Sequence, residues 1–118
     1  MLNVVIYPKC STCRQAIKWL EANEIPFKQR HIVDEKLSAV ELKAIHAKSD
    51  LPIKKFFNSS GMKYRELGLK DKLADLTDEA CYELLETDGM LVKRPLAYHE
   101  DGRVTLGFKT DDYEKMWK

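Results

Sequence analysis

The 118-residue chain has no long hydrophobic run, no excess charge of one sign and few cysteines. No apolar stretch approaches the roughly 20 residues that a membrane-spanning helix needs, so we expect no membrane partner. Twenty Lys and Arg against nineteen Asp and Glu leave a formal charge of +1, which argues against a protein that coats nucleic acid. Three cysteines are too few, and odd in number, for a secreted disulfide scaffold.

The composition that remains is that of one domain with a hydrophobic core. The chain is 44% hydrophobic and 33% charged, and its length allows a core to form without disulfide or metal support. The first eight residues, MLNVVIYP, lack the basic segment and the small-residue cleavage site of a signal peptide. We therefore predict a single cytoplasmic domain over 1–118.

The first third of the chain has the pattern of a βαβ unit. A β-branched apolar run at 2–7 ends at Pro8, an amphipathic pattern predicts a helix over 12–23 capped by Ser11 or Thr12, and 27–33 has the pattern of a second strand. Strand, helix and strand in this order imply parallel strands with a right-handed crossover.

The rest of the chain is helical in the middle and returns to strands at the end. Helical periodicity and turn signals predict helices at 38–48, after Pro52 and at 77–86, then strands at 96–98 and 104–108, then a helix at 111–117. An Asp-Gly pair between the last two strands predicts a hairpin. The fold class is therefore α/β, with a helical insert at about 38–88.

A Cys-Ser-Thr-Cys motif occupies residues 10–13, where the first strand ends and the first helix begins. The strand places Cys10 at the carboxyl edge of the sheet, where open α/β sheets bind ligands. The helix directs unpaired N–H groups and its positive dipole end towards that sulfur, and Lys9 and Arg14 add positive charge. We therefore predict that Cys10 is a nucleophile with a pKa well below the roughly 8.5 of a free thiol. Cys13, one turn into the helix, is then the resolving thiol.

Two other interpretations of the cysteines stay open at the level of the residues. The pair is also compatible with two half-buried structural cysteines at the start of a helix. A zinc site would need two further ligands, and the other candidate ligands show no metal-binding spacing: Cys81, His31, His46 and His99. We expect no metal, and we expect Cys81 to be an inert buried thiol.

A Lys-Arg-Pro segment at 93–95 precedes the predicted hairpin. In a fold with this element order it lies beside the start of the first helix, where Arg94 can bind an oxyanion bidentately near Cys10. Pro95 can adopt the cis form. The alternative for Arg94 is a solvated charge beside a turn, which composition alone favours. Residues 58–65 are either a polar ligand loop or an ordinary connection, and their chemistry favours the connection.

Segments spread over essentially the whole chain match a known family. They are YPKCSTCR at 7–14, WLE at 19–21, IPF at 25–27, 57–69, DGMLVKRPL at 88–96 and LGFK at 106–109. In these segments the chain resembles the arsenate reductase (ArsC)/Spx family, in its arsenate-reductase-like (YusI-type) subgroup. The resemblance implies a thioredoxin/glutaredoxin-like fold built from about 1–37 and 89–118, with a mixed sheet and the helical insertion between them. It also implies that Pro95 is a cis-proline facing the active cysteine.

The resemblance implies an anion site in which the family's pattern is only partly present. In glutaredoxin-coupled arsenate reductases one cysteine attacks arsenate while three arginines hold the oxyanion. Cys10 matches that cysteine and Arg94 matches one arginine, whereas the second position is Asn58 and the third falls at 106–109, where Lys109 is the nearest cation. We do not expect efficient arsenate reduction, because the oxyanion's charge must be balanced where it reacts. The predicted anion-binding residues are Arg94, Arg14, Asn58 and Lys109.

The family also contains regulators of the Spx type. Their Cys-x-x-Cys pair is a disulfide switch, and they bind the C-terminal domain of the RNA polymerase α subunit. The resemblance therefore implies first a thiol oxidoreductase that acts on a small oxyanion or on a protein or low-molecular-weight disulfide. An external thiol such as glutathione, glutaredoxin or thioredoxin resets it, with no bound cofactor. The alternative is a redox-switched regulator that binds RNA polymerase α, without direct contact to nucleic acid.

Overall fold

A computed structural model describes residues 1–118. The strands are β1 (Leu2–Ile6), β2 (Phe27–His31), β3 (Leu96–Tyr98) and β4 (Val104–Leu106). The α-helices are α1 (Ser11–Ala22), α2 (Ala39–Ser49), α3 (Met62–Glu66), α4 (Leu69–Lys72), α5 (Asp78–Thr87) and α6 (Thr110–Trp117), with short 3-10 helices at Ile53–Phe56, Leu73–Asp75 and Gly89–Leu91. None of these helices combines the length and the apolar character that crossing a membrane requires.

The elements group into two compact units. One consists of Met1–His31 with Arg94–Lys118, and the other of Ile32–Lys93. The first contains all four strands with α1 and α6, and the second contains α2 to α5. The single domain predicted over 1–118 stays a prediction.

The first unit is built on a mixed four-stranded sheet with the order β2-β1-β3-β4. β1 pairs in parallel with β2 and antiparallel with β3, and β3 pairs antiparallel with β4. The parallel pair with α1 between its strands is the predicted βαβ unit. Gly102 has a φ of 101° in the turn between β3 and β4, where the predicted Asp-Gly hairpin lies. The predicted α/β class is therefore confirmed.

One face of β1 forms the core of this unit together with two helices. Alternate residues of a strand point to the same face, and the apolar stripe of an amphipathic helix covers it. The buried residues of this core are Leu2, Val4, Ile6, Cys13, Ala16, Leu20, Ala97, Tyr113 and Trp117. The start of α1 is thus packed against the end of the central strand, which fixes the position of the Cys-x-x-Cys motif.

The second unit is helical, as predicted for the middle of the chain. The Nδ1 atom of His46, on α2, lies 2.6 Å from the hydroxyl oxygen of Tyr82 on α5. The Nε2 atom of the same ring lies 2.8 Å from the carbonyl oxygen of Leu51. The helices predicted at 38–48 and 77–86 are displaced by only one residue, but α3 and α4 were not predicted. Val40, part of the apolar pattern that predicted α2, is 80% exposed.

Ser38 begins α2 with a complete capping box. Its hydroxyl accepts a hydrogen bond from the N–H of Glu41 at 3.1 Å, and the Glu41 carboxylate accepts one from the N–H of Ser38 at 3.0 Å. We expect Ser38→Ala to lower the free energy of unfolding by about 1 kcal/mol, because it leaves a helical N–H without its acceptor. Urea denaturation measures this change. Ser59→Ala, in an exposed loop, is the matched control and should change stability by less than about 0.5 kcal/mol; equal losses in both variants would contradict the capping role.

Candidate active site

The sulfur of Cys10 caps helix α1. Cys10 has an extended backbone, with φ -87° and ψ 116°, and its Sγ accepts a hydrogen bond from the N–H of Cys13 at 3.4 Å. Its carbonyl accepts the first helical bond, from the N–H of Arg14 at 3.1 Å. The prediction that Ser11 or Thr12 caps this helix is wrong, because the helix already begins at Ser11. The sulfur therefore occupies the position of a capping oxygen, where the helix dipole favours negative charge.

The pKa of the Cys10 thiol lies below its ordinary value. Burial by itself would raise this pKa, because surroundings of low polarity disfavour the thiolate. Hydrogen bonds from the side chain and the N–H of Cys13, the positive charge of Arg94 and the N–H of Thr12 act in the opposite direction and prevail. The shift has the direction predicted from the sequence. The cation that contributes to it is Arg94, whereas the sequence pointed first to Lys9 and Arg14.

Cys13 has the opposite character. It is 1% exposed in the core between α1 and the sheet. The pKa of Cys13 is raised to about 12, chiefly by burial. Its hydrogen bond to the Cys10 sulfur and the negative charge of Cys10 act in the same direction, whereas the N–H of Tyr7 and the charge of Arg94 oppose them. The motif thus pairs a partly exposed thiol whose pKa is lowered with a buried thiol whose pKa is raised.

Arg94 reaches the motif through the register of the sheet. Val5 of β1 pairs with Leu96 of β3 in an antiparallel arrangement, so the register continued by two residues places Arg94 opposite Tyr7. The Cζ atom of Arg94 lies 5.3 Å from the centroid of the Tyr7 ring. The peptide bond between Arg94 and Pro95 is cis. The charge of Arg94 acts on both thiols of the motif, which is the proximity expected from the sequence.

Arg14 contacts the loop before the motif. Its Nη1 donates a hydrogen bond to the carbonyl oxygen of Pro8 at 3.1 Å, and its side chain is exposed. This bond links the first turn of α1 to the segment that carries Cys10. The anion-binding role predicted for Arg14 stays a prediction.

The residue that follows β4 is hydrogen-bonded to the residue that precedes β3. The N–H of Gly107 donates to the carbonyl oxygen of Pro95 at 2.9 Å, and Gly107 has a φ of 78°, in the left-handed region that favours glycine. Lys109 is exposed, and its carbonyl accepts the N–H of Tyr113 at the start of α6. The predicted contact of Lys109 with an anion stays a prediction.

Asn58 belongs to the helical unit. Its N–H donates to the carbonyl oxygen of Leu91 at 2.7 Å, and its Oδ1 accepts a hydrogen bond from the hydroxyl of Ser60 at 3.3 Å. The side chain therefore takes part in its own turn, as expected of an ordinary connection. Its predicted role towards an anion stays a prediction.

The third cysteine is a buried thiol, as predicted. Cys81 is 1% exposed on α5, and burial raises its pKa, with a smaller contribution from the charge of Asp78. Among residues 1–118, no group of three or more His, Cys, Asp or Glu side chains is arranged to hold a metal ion.

A cavity of about 350 Å³ opens beside the motif. Its walls include Ile6, Tyr7, Pro8, Cys13 and Ile17. The volume lies in the range of pockets that bind small molecules. There is therefore space for a small organic group next to α1 and the end of β1.

Sequence reasoning missed Tyr7, although its ring contacts Arg94 and its backbone contacts the motif. Its aromatic side chain at the end of a strand was the only local signal. The partner is distant in the chain, so the contact emerges only from the pairing of β1 with β3.

A family model and several curated proteins match this chain over almost its full length. The model of the ArsC family matches residues 5–116. The protein YusI of Bacillus subtilis (strain 168) is 54% identical over 112 residues, which cover 94% of this chain and 93% of YusI. The global transcriptional regulator Spx of Enterococcus faecalis is 31% identical over 116 residues, which cover 98% of this chain and 86% of that regulator.

The fold also has a counterpart among solved structures. An ArsC family related protein from Bacteroides fragilis superposes with a TM-score of 0.92 and 48% sequence identity, covering 97% of this chain and 95% of that chain. This likeness confirms the predicted thioredoxin/glutaredoxin-like fold with a helical insertion.

Proposed function

The chain belongs to the ArsC family, and from this premise we propose that it is a thiol-dependent oxidoreductase with Cys10 as nucleophile and Cys13 as resolving thiol. The observation that carries the proposal is the asymmetry of the pair. The Cys10 sulfur caps α1 with a lowered pKa, whereas Cys13 is buried with a pKa of about 12. Thiol–disulfide exchange needs this division, because the thiolate is the attacking species.

In the first step the Cys10 thiolate attacks one sulfur of a substrate disulfide. A bond forms between Cys10 and that sulfur, the substrate's S–S bond breaks, and the other half leaves as a thiolate that takes up a proton from water. The N–H of Cys13 and the charge of Arg94 stabilise the attacking thiolate before this step.

In the second step Cys13 loses its proton to water, and its thiolate attacks the Cys10 sulfur. The bond between Cys10 and the substrate sulfur breaks, that sulfur leaves as a thiolate, and the two cysteines form an intramolecular disulfide. The negative charge of Cys10, one of the causes that raise the pKa of Cys13, disappears once Cys10 is bonded to substrate, and the neutral sulfur is a weaker hydrogen-bond partner. The first step therefore makes the second thiol easier to ionise, although burial still opposes it.

A disulfide is favoured over arsenate as the substrate class. Arg94 is the cation near Cys10, while Asn58 and Lys109 stand in the segments where arginines are found in glutaredoxin-coupled arsenate reductases. An external thiol such as glutathione, glutaredoxin or thioredoxin would return two electrons to the pair and reset it.

A second candidate function is redox-switched regulation. The likeness to a global transcriptional regulator over 98% of this chain favours it. In that case the same disulfide would control binding to the RNA polymerase α subunit instead of serving turnover.

One experiment tests the proposal. The reduced protein is incubated with the small disulfide 2-hydroxyethyl disulfide, and the reaction is then quenched with acid and the remaining thiols are alkylated. We expect mass spectrometry to find Cys10 and Cys13 joined in one peptide, with two 2-mercaptoethanol molecules released per chain, because the resolving thiol displaces the mixed disulfide. Cys81 should remain alkylatable after unfolding, since it is buried away from the reaction and serves as the internal control.

A stable adduct on Cys10 beside a free Cys13 would contradict the resolving role. Binding to purified RNA polymerase α that differs between the reduced and the oxidised protein, without turnover of any disulfide, would instead support the regulator.

A further inference from the structure

Tyr7 lies between two charged or ionisable side chains. Its ring centroid is 5.3 Å from Cζ of Arg94 and 6.0 Å from the centroid of the His31 ring, which meets it edge-on at 79°. The sheet order explains this placement, since β1 is paired on one side with β2, which ends at His31, and on the other with β3, which Arg94 precedes.

We propose that Tyr7 is the positioning residue of this site: its ring holds the guanidinium of Arg94 towards Cys10 and thereby favours anionic disulfides as substrates. The proposal rests on the thiol chemistry proposed above. It assigns to Tyr7 a role through Arg94, not a contact with the reacting sulfurs.

The ring adds support to a guanidinium that stands on a flexible side chain. An arginine loses several freely rotating bonds when it is held in one place, and stacking on an aromatic face offsets part of that entropy. The ring of Tyr7 also meets the His31 ring edge-on, and the residue's carbonyl oxygen accepts the N–H of Cys10 at 3.0 Å. Tyr7 therefore contacts both the segment that carries Cys10, through its carbonyl oxygen, and the guanidinium of Arg94, through its ring.

The contact involves the ring face and not the hydroxyl. Tyr7→Phe keeps that face. Tyr7→Leu and Tyr7→Met remove it, and methionine has the longer side chain of the two. This set separates a positioning role from a general effect on folding. Trp19→Leu is the matched control, because Trp19 is also a partly buried aromatic of this unit, and it packs edge-on against Tyr113.

Two measurements distinguish these variants. The first is the pH midpoint for alkylation of Cys10 by iodoacetamide. The second is the ratio of the rates with two disulfide probes, the dianionic 5,5'-dithiobis(2-nitrobenzoate) and the neutral 2-hydroxyethyl disulfide. Each rate is normalised to that of free cysteine, so that the intrinsic reactivities of the probes cancel.

We expect Tyr7→Leu and Tyr7→Met to raise the midpoint by about 0.5 pH unit and to lower the anionic-to-neutral ratio roughly threefold, the size of one cation–π contact. Tyr7→Phe and Trp19→Leu should match wild type in both measurements. Arg94→Ala should shift both in the same direction, and adding Tyr7→Leu to Arg94→Ala should change neither further, because the two residues act through one guanidinium.

A wild-type midpoint and ratio in folded Tyr7→Leu or Tyr7→Met would overturn the positioning role, as would equal impairment of Tyr7→Phe. Additive shifts in the double variant would overturn it too, because Tyr7 would then act independently of Arg94. An ordinary cysteine midpoint in the wild-type protein would instead reject the underlying thiol chemistry, so the two failures are distinguishable.

Discussion

Cys10→Ser is expected to lower the rate of disulfide exchange to that of the uncatalysed reaction, at least about a hundredfold below wild type. A serine hydroxyl does not form a disulfide, and Cys13 is a poor substitute as nucleophile. Burial is the largest cause that raises the pKa of Cys13 and it persists in this variant, because the residue is 1% exposed; Cys13 therefore supplies little thiolate near pH 7. Release of thiol from 2-hydroxyethyl disulfide, followed in the presence of a resetting thiol, measures the effect.

Cys13→Ser provides the complementary result. It should keep the first step, because Cys10 remains, and should accumulate one mixed disulfide per chain that mass spectrometry places on Cys10. Cys81→Ser is the control with an unchanged rate, since that thiol is buried in the helical unit. Substantial turnover by Cys10→Ser would mean that a different group is the nucleophile.

Gly89→Ala is expected to lower the free energy of unfolding by about 3 kcal/mol. A Cβ at Gly89 would overlap the carbonyl oxygen of Ile32 and lie 2.8 Å from its carbonyl carbon and 3.2 Å from Cα of Val33. These are backbone atoms, so no change of rotamer can relieve the overlap. The turn at Gly89–Leu91 and the Ile32–Val33 segment would have to separate, which disrupts the packing of fully buried Ile32 and Leu91.

Gly68→Ala is the matched control for this substitution. Gly68 has a φ of 63°, but a Cβ there would meet nothing closer than 3.8 Å. Gly68→Ala should lower the free energy of unfolding by only about 1 kcal/mol, because alanine is disfavoured in the left-handed conformation. Urea denaturation of both variants tests the difference, and a loss for Gly89→Ala no larger than that for Gly68→Ala would refute the steric account.

The sequence predicted those features that depend on local pattern. A β-branched apolar run and helical hydrophobic periodicity located β1, α1 and the βαβ unit, and the position of the Cys-x-x-Cys motif at a strand-to-helix junction followed from them. α3 and α4 were missed because they contain only five and four residues. Segments so short carry too few apolar positions to show a period.

The electrostatics of the site could be predicted only in part. Lys9 and Arg14 were visible as neighbours of the motif, but Arg14 donates to the carbonyl of Pro8. Arg94, the cation that lowers the pKa of Cys10, is far along the chain and reaches the motif through strand pairing. The identity of the cap was equally hidden, since Ser11 and Thr12 are better capping residues by type than Cys10, and the backbone conformation decides between them.

The capping of α1 by the Cys10 sulfur has a consequence for the direction of electron flow. A thiolate is a charged acceptor for the N–H of Cys13, whereas a disulfide sulfur is a neutral and weaker one. The hydrogen bond at the helix start and the charge of Arg94 therefore stabilise the reduced pair more than the oxidised pair. Any interaction that prefers the reduced form raises the reduction potential of a dithiol. In the proposed thiol–disulfide reaction, the first turn of this helix would thus make the oxidised pair a better acceptor of electrons from the external thiol.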